Sequence, residues 1–383
     1  MGGPRLSRKV CVVTTSRAEY GLLEPVARAI AARRGLRLQL VVSGSHLSRA
    51  FGRTERAIRL PIAARIPMPA GDDAASQAKA VGRAVGSFAA AFARLRPDLL
   101  VLLGDRYELL APATAAVALK IPIAHLHGGE ASEGVIDEQV RHALTKLSYL
   151  HFVAAEPYRR RVIAMGEDPR RVFLSGAPGL ENAAGLKPLP DAELSKLVGL
   201  PLTPPPLVVT YHPCGKNPLG ELDGILSAVA ASGRRAVFTF AGADAGGRAV
   251  NARLKAFASR DPRRYRVHAS LGARGWLSLL RRAAACVGNS SSGVIEAPLL
   301  RVPTVNAGAR QDGRLKAPSV VDCAPSAAAV SAALRRVLSP SFRSRLKGRS
   351  PYRGGAVAER IAAVLATADL AAAPRKTFHG GRA

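Results

Sequence analysis

The stretch GNSSSGVIEAP, from Gly288 to Pro298, follows an apolar run, Ala283 to Val287, that has the length of a buried strand. A strand, a turn of small polar and Gly residues and then a helix is how α/β proteins build anion sites, because the first N–H groups of a helix have no partner within it. Ser290 and Ser291 place hydroxyls at this turn. We therefore predict a phosphate site here, with an ordinary serine helix cap as the alternative.

The first half of the chain repeats the pattern of an apolar strand that ends in polar residues. Three such segments are VCVVTTS before Arg17, DLLVLLGDR ending in Asp105 and Arg106, and PIAHLHGGE ending in His125, His127 and Glu130. Doubly wound folds bind ligands beyond the carboxyl ends of their strands. We therefore expect a ligand site here. We place Arg17 in the turn after the first strand, and the next helix at Glu24 to Arg34, with Pro25 near its first turn.

The alternation of strands and helices restarts after a Pro-rich passage, which divides the chain in two. Six apolar strands are expected in the second half: Leu207 to Tyr211, Ala236 to Ala241, Tyr265 to Ala269, Ala284 to Val287, Thr304 to Asn306 and Ser319 to Val321. The predicted fold is α/β, with two Rossmann-like domains facing a cleft. Our boundaries are 1–185 for the domain with the catalytic carboxylates, 186–206 for a linker, 207–355 for the nucleotide-binding domain, 356–370 for a closing helix and 371–383 for a frayed basic tail.

Composition limits the other classes of function. The net charge of +29 raises the prospect of a nucleic-acid partner, but the arginines occur as scattered pairs in Ala-rich helical segments, which favours solvated helix faces. The four cysteines have no C-x-x-C spacing, so we expect reduced thiols in a cytoplasmic protein. Val10 to Val13 is too short for a signal sequence or a membrane span. His and carboxylate residues are dense near Glu130, yet they lack H-x-x-x-H spacing, so we predict no metal.

Six sequence blocks together resemble one known family. Four lie in the first half of the chain: TSRAEYGLL (Thr15 to Leu23), GDRYELL (Gly104 to Leu110), HLHGGE (His125 to Glu130) and IDEQVRHALTKL (Ile136 to Leu147). Two lie in the second half, GNSSSGVIEAP and PTVNAGARQDGR (Pro303 to Arg314), and they are preceded there by the tripeptide Tyr211-His212-Pro213. In this order the blocks resemble the UDP-N-acetylglucosamine 2-epimerases, and within them the hydrolysing branch that supplies N-acetylmannosamine for sialic-acid-type sugars. The resemblance implies a GT-B type fold of two Rossmann-like domains.

The resemblance also implies roles for individual residues. Asp105, Glu130 and Asp137 match the acid/base carboxylates. Arg17 and His212 would contact the diphosphate, and His212 is counted with the catalytic residues. Ser290 and Ser291 would hold phosphate oxygens, Glu296 the ribose, and Arg310 and Arg314 the nucleotide end. We assign substrate binding also to Arg106, His125, His127, Arg141 and Asn289.

The implied reaction eliminates UDP to leave a glycal, and then adds water with inversion at carbon 2. It needs no cofactor. The expected partner is a UDP-sugar substrate, with no membrane or nucleic acid, and we expect a homo-oligomer, either a dimer or a tetramer.

Five alternatives remain open from the sequence. The non-hydrolysing epimerases share the fold and the substrate. The same motifs suit a UDP-linked 2,4-diacetamido-6-deoxy sugar or a GDP-linked amino sugar. A GT-B glycosyltransferase would use the same kind of nucleotide site, and a nucleic-acid binder would show affinity that falls steeply with salt.

Overall fold

The structure, a computed structural model, describes residues 7–69, 71–133 and 135–380. The chain divides into two compact units, each of which holds one parallel sheet. The first unit comprises Met1–Glu130, Ile136–Glu181 and Tyr352–Ala383, and the second comprises Ala131–Val135 and Asn182–Pro351. The predicted α/β class with two Rossmann-like domains is confirmed.

The first unit contains a seven-stranded parallel sheet in the order β3-β2-β1-β4-β5-β6-β7. Its strands are β1 (Arg8–Thr14), β2 (Leu36–Ser43), β3 (Ile62–Ile66), β4 (Leu99–Leu103), β5 (Ile123–Leu126), β6 (Leu150–Val153) and β7 (Val172–Leu174). Helices cover both faces, so the central strands are apolar along their whole length: every residue of β4 is buried. A strand of continuous apolar residues was therefore the correct sequence signal for this sheet.

The helices of the first unit alternate with its strands. They are α1 (Arg17–Ala32), α2 (Ala74–Leu95), α3 (Leu110–Ala118), α4 (Asp137–Leu147), α5 (Glu156–Ala164) and α6 (Pro178–Ala184), with 3₁₀ turns at Gly44–Leu47, Arg49–Phe51, Thr54–Ala57, Tyr107–Leu109 and Pro169–Arg171. A C-terminal helix, Val357–Thr367, returns to this unit and buries Ile361 and Leu365 in the same core as Leu23 and Ile30 of α1.

The second unit contains a six-stranded parallel sheet in the order β10-β9-β8-β11-β12-β13. The strands are β8 (Leu207–Thr210), β9 (Ala236–Thr239), β10 (Tyr265–His268), β11 (Ala285–Gly288), β12 (Thr304–Ala307) and β13 (Val320–Cys323). The helices of this unit are α7 (Asp191–Val198), α8 (Pro218–Ala231), α9 (Gly247–Ala258), α10 (Gly272–Arg282), α11 (Ser291–Ile295), α12 (Ala327–Leu338) and α13 (Pro340–Arg343), with a 3₁₀ turn at Ala309–Gln311. The C-terminal helix of the first unit is α14, and a 3₁₀ turn at Ala373–Arg375 follows it. Each of the six strands lies where the sequence predicted one.

Helix α1 begins earlier than we predicted. Its first residue is Arg17, and Ser16 caps it by accepting a hydrogen bond from the N–H of Glu19. Our prediction treated Pro25 as a marker of the first turn, whereas Pro25 lies in the interior of the helix. Arg17 therefore belongs to the helix, at its first turn, and not to the preceding loop.

Two segments differ from the expected linker and tail. The stretch predicted as a linker, 186–206, contains α7, and Leu194 and Val198 of this helix are fully buried in a core with Val208 and Val237. The stretch predicted as a frayed tail is attached in its described part: Lys376 Nζ donates to the carbonyls of Lys146 and Ser148, both at 2.6 Å. Buried apolar side chains order the first stretch, and hydrogen bonds from Lys376 attach the second.

Among the residues described, no helix is both long enough and apolar enough to cross a membrane.

Candidate active site

Three neighbouring strands of the first unit end in the residues that the sequence singled out. β1, β4 and β5 are adjacent and parallel, so their carboxyl ends lie at one edge of the sheet. The chain order reverses between β1 and β4, which is the switch point where doubly wound sheets bind ligands. Arg17 follows β1, Asp105 and Arg106 follow β4, and the turn from His127 to Glu130 follows β5. The topology therefore gathers these side chains at one edge.

Asp105 is held by a buried arginine. Its carboxylate forms an ion pair with Arg141 of α4, whose side chain is 1% exposed, and Glu138 lies 3.8 Å from the same guanidinium. A guanidinium buried this deeply requires compensating charge, which the two carboxylates provide. We predicted Arg141 as a substrate-binding residue; the structure shows that it binds and orients Asp105.

Arg106 has a carboxylate partner two residues along the chain. Its Nε lies 3.1 Å from Glu108 Oε2 and its Nη2 lies 2.9 Å from Glu108 Oε1, in a two-pronged ion pair. Glu108 is buried, so the pair fixes the guanidinium of Arg106 at the end of β4. Sequence analysis did not single out Glu108, although it lies within the GDRYELL block.

Glu19 is a second buried carboxyl, which the sequence analysis placed after the first strand, within the TSRAEYGLL block, without giving it a role. Its Oε2 accepts hydrogen bonds from the N–H of Thr15 at 3.1 Å and from Thr15 Oγ1 at 2.7 Å. Burial raises the pKa of Glu19 to about 7, although the two hydrogen bonds from Thr15 and the charge of Arg106 oppose the shift. The spacing of Ser16 and Glu19 matches a capping box, and this signal could have identified the residue.

His125 does not occupy the position we predicted for it. The ring is fully buried, with Nε2 2.7 Å from the carbonyl oxygen of Gly104 and Nδ1 3.2 Å from Thr145 Oγ1. Burial lowers the pKa of His125 to about 4, so the ring is neutral at pH 7. Because both nitrogens are bonded inside the unit, we correct the prediction that it binds substrate. It holds the peptide immediately before Asp105.

The turn after β5 is tightly constrained. His127 has a φ of +65°, and its Nδ1 lies 2.5 Å from Glu130 Oε1. A side chain at Gly129 would come within 2.6 Å of the carbonyl oxygen of Tyr158, and Arg161 donates to the carbonyl of Gly129 at 2.6 Å. Gly129 is therefore required by the backbone, and the turn presents His127 and Glu130 as a bonded pair.

Asp137 is the first residue of α4 and Glu138 is the second. Carboxylates in a first helical turn are stabilised by the N–H groups that have no partner within the helix. Asp137 is partly exposed. The structure thus gives the three predicted acid/base carboxylates different surroundings: Asp105 with an arginine, Glu130 with a histidine and Asp137 at a helix start.

In the second unit, the ends of β8 and β11 are joined by paired hydrogen bonds. The N–H of His212 donates to Asn289 Oδ1 at 2.7 Å, and Asn289 Nδ2 donates to the His212 carbonyl at 2.8 Å. The imidazole Nδ1 of His212 lies 3.7 Å from Asp244 Oδ2. Asn289, which we predicted to bind substrate, is fully buried and positions the His212 backbone.

The serine turn departs in part from the predicted phosphate cradle. The helix that follows β11 has only five residues, so its dipole is weaker than that of a longer helix. Ser290 caps the helix by accepting from the N–H of Ser292, and Ser292 Oγ accepts from Trp276 Nε1 at 3.0 Å. Ser290 and Ser291 are partly exposed, and Glu296 is buried at the end of the helix.

Arg310 and Arg314 have different surroundings. Arg310 Nη1 donates to the Asn289 carbonyl at 3.2 Å, beside Gln311 Nε2, which donates to the same oxygen at 2.8 Å. Arg314 donates to the Ala131 carbonyl at 3.1 Å and to Gln311 Oε1 at 3.0 Å. Arg314, which we assigned to the nucleotide end, is thus bound to protein groups. The sequence analysis missed Gln311, a fully buried residue that supports this loop.

Within the described ranges, no group of three or more His, Cys, Asp or Glu side chains is arranged to hold a metal ion. The described cysteines are all free, and burial raises the pKa of Cys286 to about 12, so its thiol stays protonated.

Two parallel Rossmann-type sheets, each with polar groups beyond the carboxyl ends of its central strands, define a protein of the two-domain nucleotide-binding class. Residues 28–366 match the sequence profile of the UDP-N-acetylglucosamine 2-epimerase family. The chain belongs to this family.

Two named relatives and one solved structure show which members of the family this chain is similar to. The chain is 36% identical over 322 residues to the GDP/UDP-N,N'-diacetylbacillosamine 2-epimerase (hydrolyzing) of Campylobacter jejuni, covering 82% of this chain and 84% of that protein. It is 33% identical over 370 residues to the UDP-N,N'-diacetylbacillosamine 2-epimerase (hydrolyzing) of Legionella pneumophila, covering 95% and 97%. The crystal structure of the Neisseria meningitidis UDP-GlcNAc 2-epimerase bound to UDP-GlcNAc has a TM-score of 0.78 at 14% identity, over 93% of this chain and 99% of that one, which shows a shared fold. The chain is an enzyme of the hydrolysing 2-epimerase type, so the resemblance drawn from the sequence blocks is confirmed.

Proposed function

We propose that this enzyme hydrolyses UDP- or GDP-linked N,N'-diacetylbacillosamine, a 2,4-diacetamido-6-deoxy sugar, and releases the free sugar with carbon 2 inverted. The observation that carries the proposal is the identity of 36% and 33% to two proteins named for this reaction, the second matched over 95% of the chain. This substrate was one of the alternatives left open by the sequence motifs.

The residues of the second unit suit the nucleoside diphosphate. The hydroxyls of Ser290 and Ser291 supply hydrogen-bond donors at the start of α11, and Arg310 supplies positive charge beside them. His212 follows β8 at the switch point of the sheet, and Glu296 offers carboxylate oxygens for ribose hydroxyls. Arg17 lies at the first turn of α1 in the first unit, and the family resemblance assigns it to the diphosphate.

The carboxylates of the first unit suit the sugar chemistry. In the elimination step, a base takes the proton from carbon 2, its bonding electrons form the double bond between carbons 1 and 2, and the diphosphate leaves with the electrons of the carbon–oxygen bond. Water then adds at carbon 1 while an acid delivers a proton to the opposite face of carbon 2. Asp105, Glu130 and Asp137 are the candidate acid/base groups. The steps cause no net oxidation or reduction, so they require no redox cofactor.

UDP-GlcNAc is the second candidate substrate, with free N-acetylmannosamine for sialic acid biosynthesis as its product. It is the substrate implied by the sequence blocks, and the N. meningitidis structure shows that the fold accommodates it in another protein. The two candidates differ at carbon 4, where one carries an acetamido group and the other a hydroxyl, and at carbon 6.

The test is an incubation of the pure protein with UDP-GlcNAc, UDP-N,N'-diacetylbacillosamine and GDP-N,N'-diacetylbacillosamine in separate reactions. The nucleoside diphosphate and the sugar are quantified, and the configuration at carbon 2 is assigned by NMR. We expect the highest kcat/KM for a diacetamido sugar, with free sugar as the product. A product that keeps its nucleotide would contradict hydrolysis, and higher kcat/KM for UDP-GlcNAc would select the second candidate. Product formed only with an added acceptor sugar would indicate a glycosyltransferase.

A further inference from the structure

His127 is a buried residue of the HGGE turn with one bonded and one unbonded ring nitrogen. The side chain is 9% exposed, Nδ1 is bonded to Glu130, and Nε2 has no hydrogen-bond partner among the residues described. A buried polar atom without a partner costs free energy, so a native structure that keeps one invites a functional explanation.

The backbone of His127 is also strained. A φ of +65° lies in the left-handed region, which few residues other than glycine adopt without cost. The N–H of His127 donates to the Phe152 carbonyl at 2.9 Å, so the strained residue is anchored to the sheet. The chain therefore bears a local cost to hold this imidazole beside Glu130.

We propose that His127 is the base that removes the proton from carbon 2, and that Glu130 is its positioning partner. With Glu130 ionised, the carboxylate can only accept a hydrogen bond, so Nδ1 of the ring carries the proton and Nε2 presents a lone pair. Nε2 takes the proton while the diphosphate departs, and the imidazolium formed is stabilised by the carboxylate at Nδ1. A carboxylate orients and stabilises the histidine of hydrolase triads in the same way. The proposal rests on the proposed function and assigns its deprotonation step to His127, so that Glu130 leaves the candidate acid/base groups and Asp105 and Asp137 remain for protonation of carbon 2.

The groups that face His127 are consistent with this assignment. His125 is a neutral neighbour whose ring is bonded to Gly104 and Thr145, and Arg161 reaches only the backbone of the turn, at Gly129. Glu130 supplies the negative charge directly at the ring. By contrast, His142 forms a similar pair with Glu138, 3.0 Å apart, on the partly exposed face of α4, and this pair offers a matched control.

The left-handed backbone makes informative variants possible. Gly and Asn tolerate a positive φ, so His127→Gly and His127→Asn are expected to keep the fold, which thermal unfolding verifies. His127→Gly opens a space the size of an imidazole, whereas His127→Asn fills most of it with a group that cannot act as a base. His142→Asn removes a histidine that has a carboxylate partner but no role in the proposal.

The experiment measures nucleoside diphosphate release, deuterium incorporation at carbon 2 in D₂O, and UDP or GDP affinity by calorimetry. The wild type is measured first: failure to release diphosphate from any of the three nucleotide sugars would refute the proposed function itself. If the wild type is active, we expect both His127 variants to lose about 10²–10⁴-fold in kcat with diphosphate affinity within a few-fold, because a general base contributes about that much.

Added imidazole should restore turnover to His127→Gly and not to His127→Asn, and His142→Asn should match the wild type. An active wild type whose His127→Asn variant keeps kcat within tenfold would overturn the proposal. So would a loss that appears in KM and diphosphate affinity while kcat is retained, since that pattern indicates a binding role.

Discussion

Asp105 is ion-paired with Arg141, and the two partners differ in exposure: the arginine side chain is 1% exposed and the aspartate side chain is 18% exposed. The ion pair links the end of β4 to helix α4. Water can reach the carboxylate but not the guanidinium, so the buried charge of Arg141 needs its partner more than the charge of Asp105 does.

This asymmetry predicts unequal effects of removing either partner. Asp105→Asn leaves a buried guanidinium with Glu138 at 3.8 Å, and we expect a loss of about 3 kcal/mol in unfolding free energy. Arg141→Met leaves a carboxylate that water can solvate, and should cost less. Urea denaturation at pH 7 measures both values. The double variant should be more stable than Asp105→Asn alone, and equal losses for the two single variants would contradict the expectation.

Glu130→Gln should abolish turnover and leave nucleotide affinity within a few-fold. Gln keeps the size of Glu but removes the negative charge that stabilises the imidazolium, and where its amide N–H donates to Nδ1 of His127 the ring proton moves to Nε2, where the lone pair is needed. Single-turnover assays and UDP or GDP titrations separate the two quantities. Glu133→Gln, a substitution of an exposed glutamate in the same segment, is the control. A parallel loss of nucleotide affinity would show that Glu130 contacts the nucleotide.

Glu19 should make stability fall as the pH rises. Its pKa is raised from the ordinary 4.5 to about 7, so its contribution is fully present below pH 4.5 and is lost as the pH rises through about 7. The change is on the order of 3 kcal/mol, at 1.36 kcal/mol per pKa unit. Glu19→Gln, which mimics the protonated form, should flatten the stability profile between pH 4.5 and 7. An unchanged profile in guanidinium titrations of this variant would refute the assignment.

The residues that follow the strands of the first unit could be predicted, because each comes directly after a continuous apolar segment. The carboxyl ends of adjacent parallel strands lie at the same edge of a sheet, so the sequence also predicted that these residues lie close together. Arg17, Asp105 and Glu130 all lie after β1, β4 and β5 as expected. The hydrogen-bond and ion-pair partners of these residues could not be predicted, because they depend on side-chain contacts between elements far apart in sequence. His125 illustrates this: its position in HLHGGE indicated a ligand, whereas the fold encloses both of its nitrogens.

The start of α1 and the attachment of the C-terminal segment were also hard to predict, because both depend on side-chain hydrogen bonds that composition does not reveal. The cap formed by Ser16 and Glu19 decides where α1 begins, and Pro25 gave a stronger but misleading signal. In the tail, the basic composition indicated solvation, yet Lys376 has a buried acidic partner, Glu167, that nothing near it in the sequence reveals.

Glu167 joins the tail to the first unit and predicts a pH effect opposite to that of Glu19. Burial acts to raise its pKa, but hydrogen bonds from His151, Lys146 and Lys376 outweigh burial and lower the pKa from 4.5 to about 2. Its stabilising contribution is therefore present above pH 4.5 and is lost as the pH falls toward 2.

Lys376→Met should lower the unfolding free energy at pH 7, because it leaves Glu167, which is 2% exposed, with one cation fewer at 2.6 Å. It should also weaken the dependence of stability on pH between 4.5 and 2, because the remaining partners lower the pKa of Glu167 less. Arg375→Met removes the same charge from an exposed neighbour and is the matched control. Thermal and acid unfolding curves are measured for both variants and for the wild type. If the tail is anchored, only Lys376→Met shifts the curves away from those of the wild type. If the tail is merely a solvated basic segment, the curves of the two variants coincide.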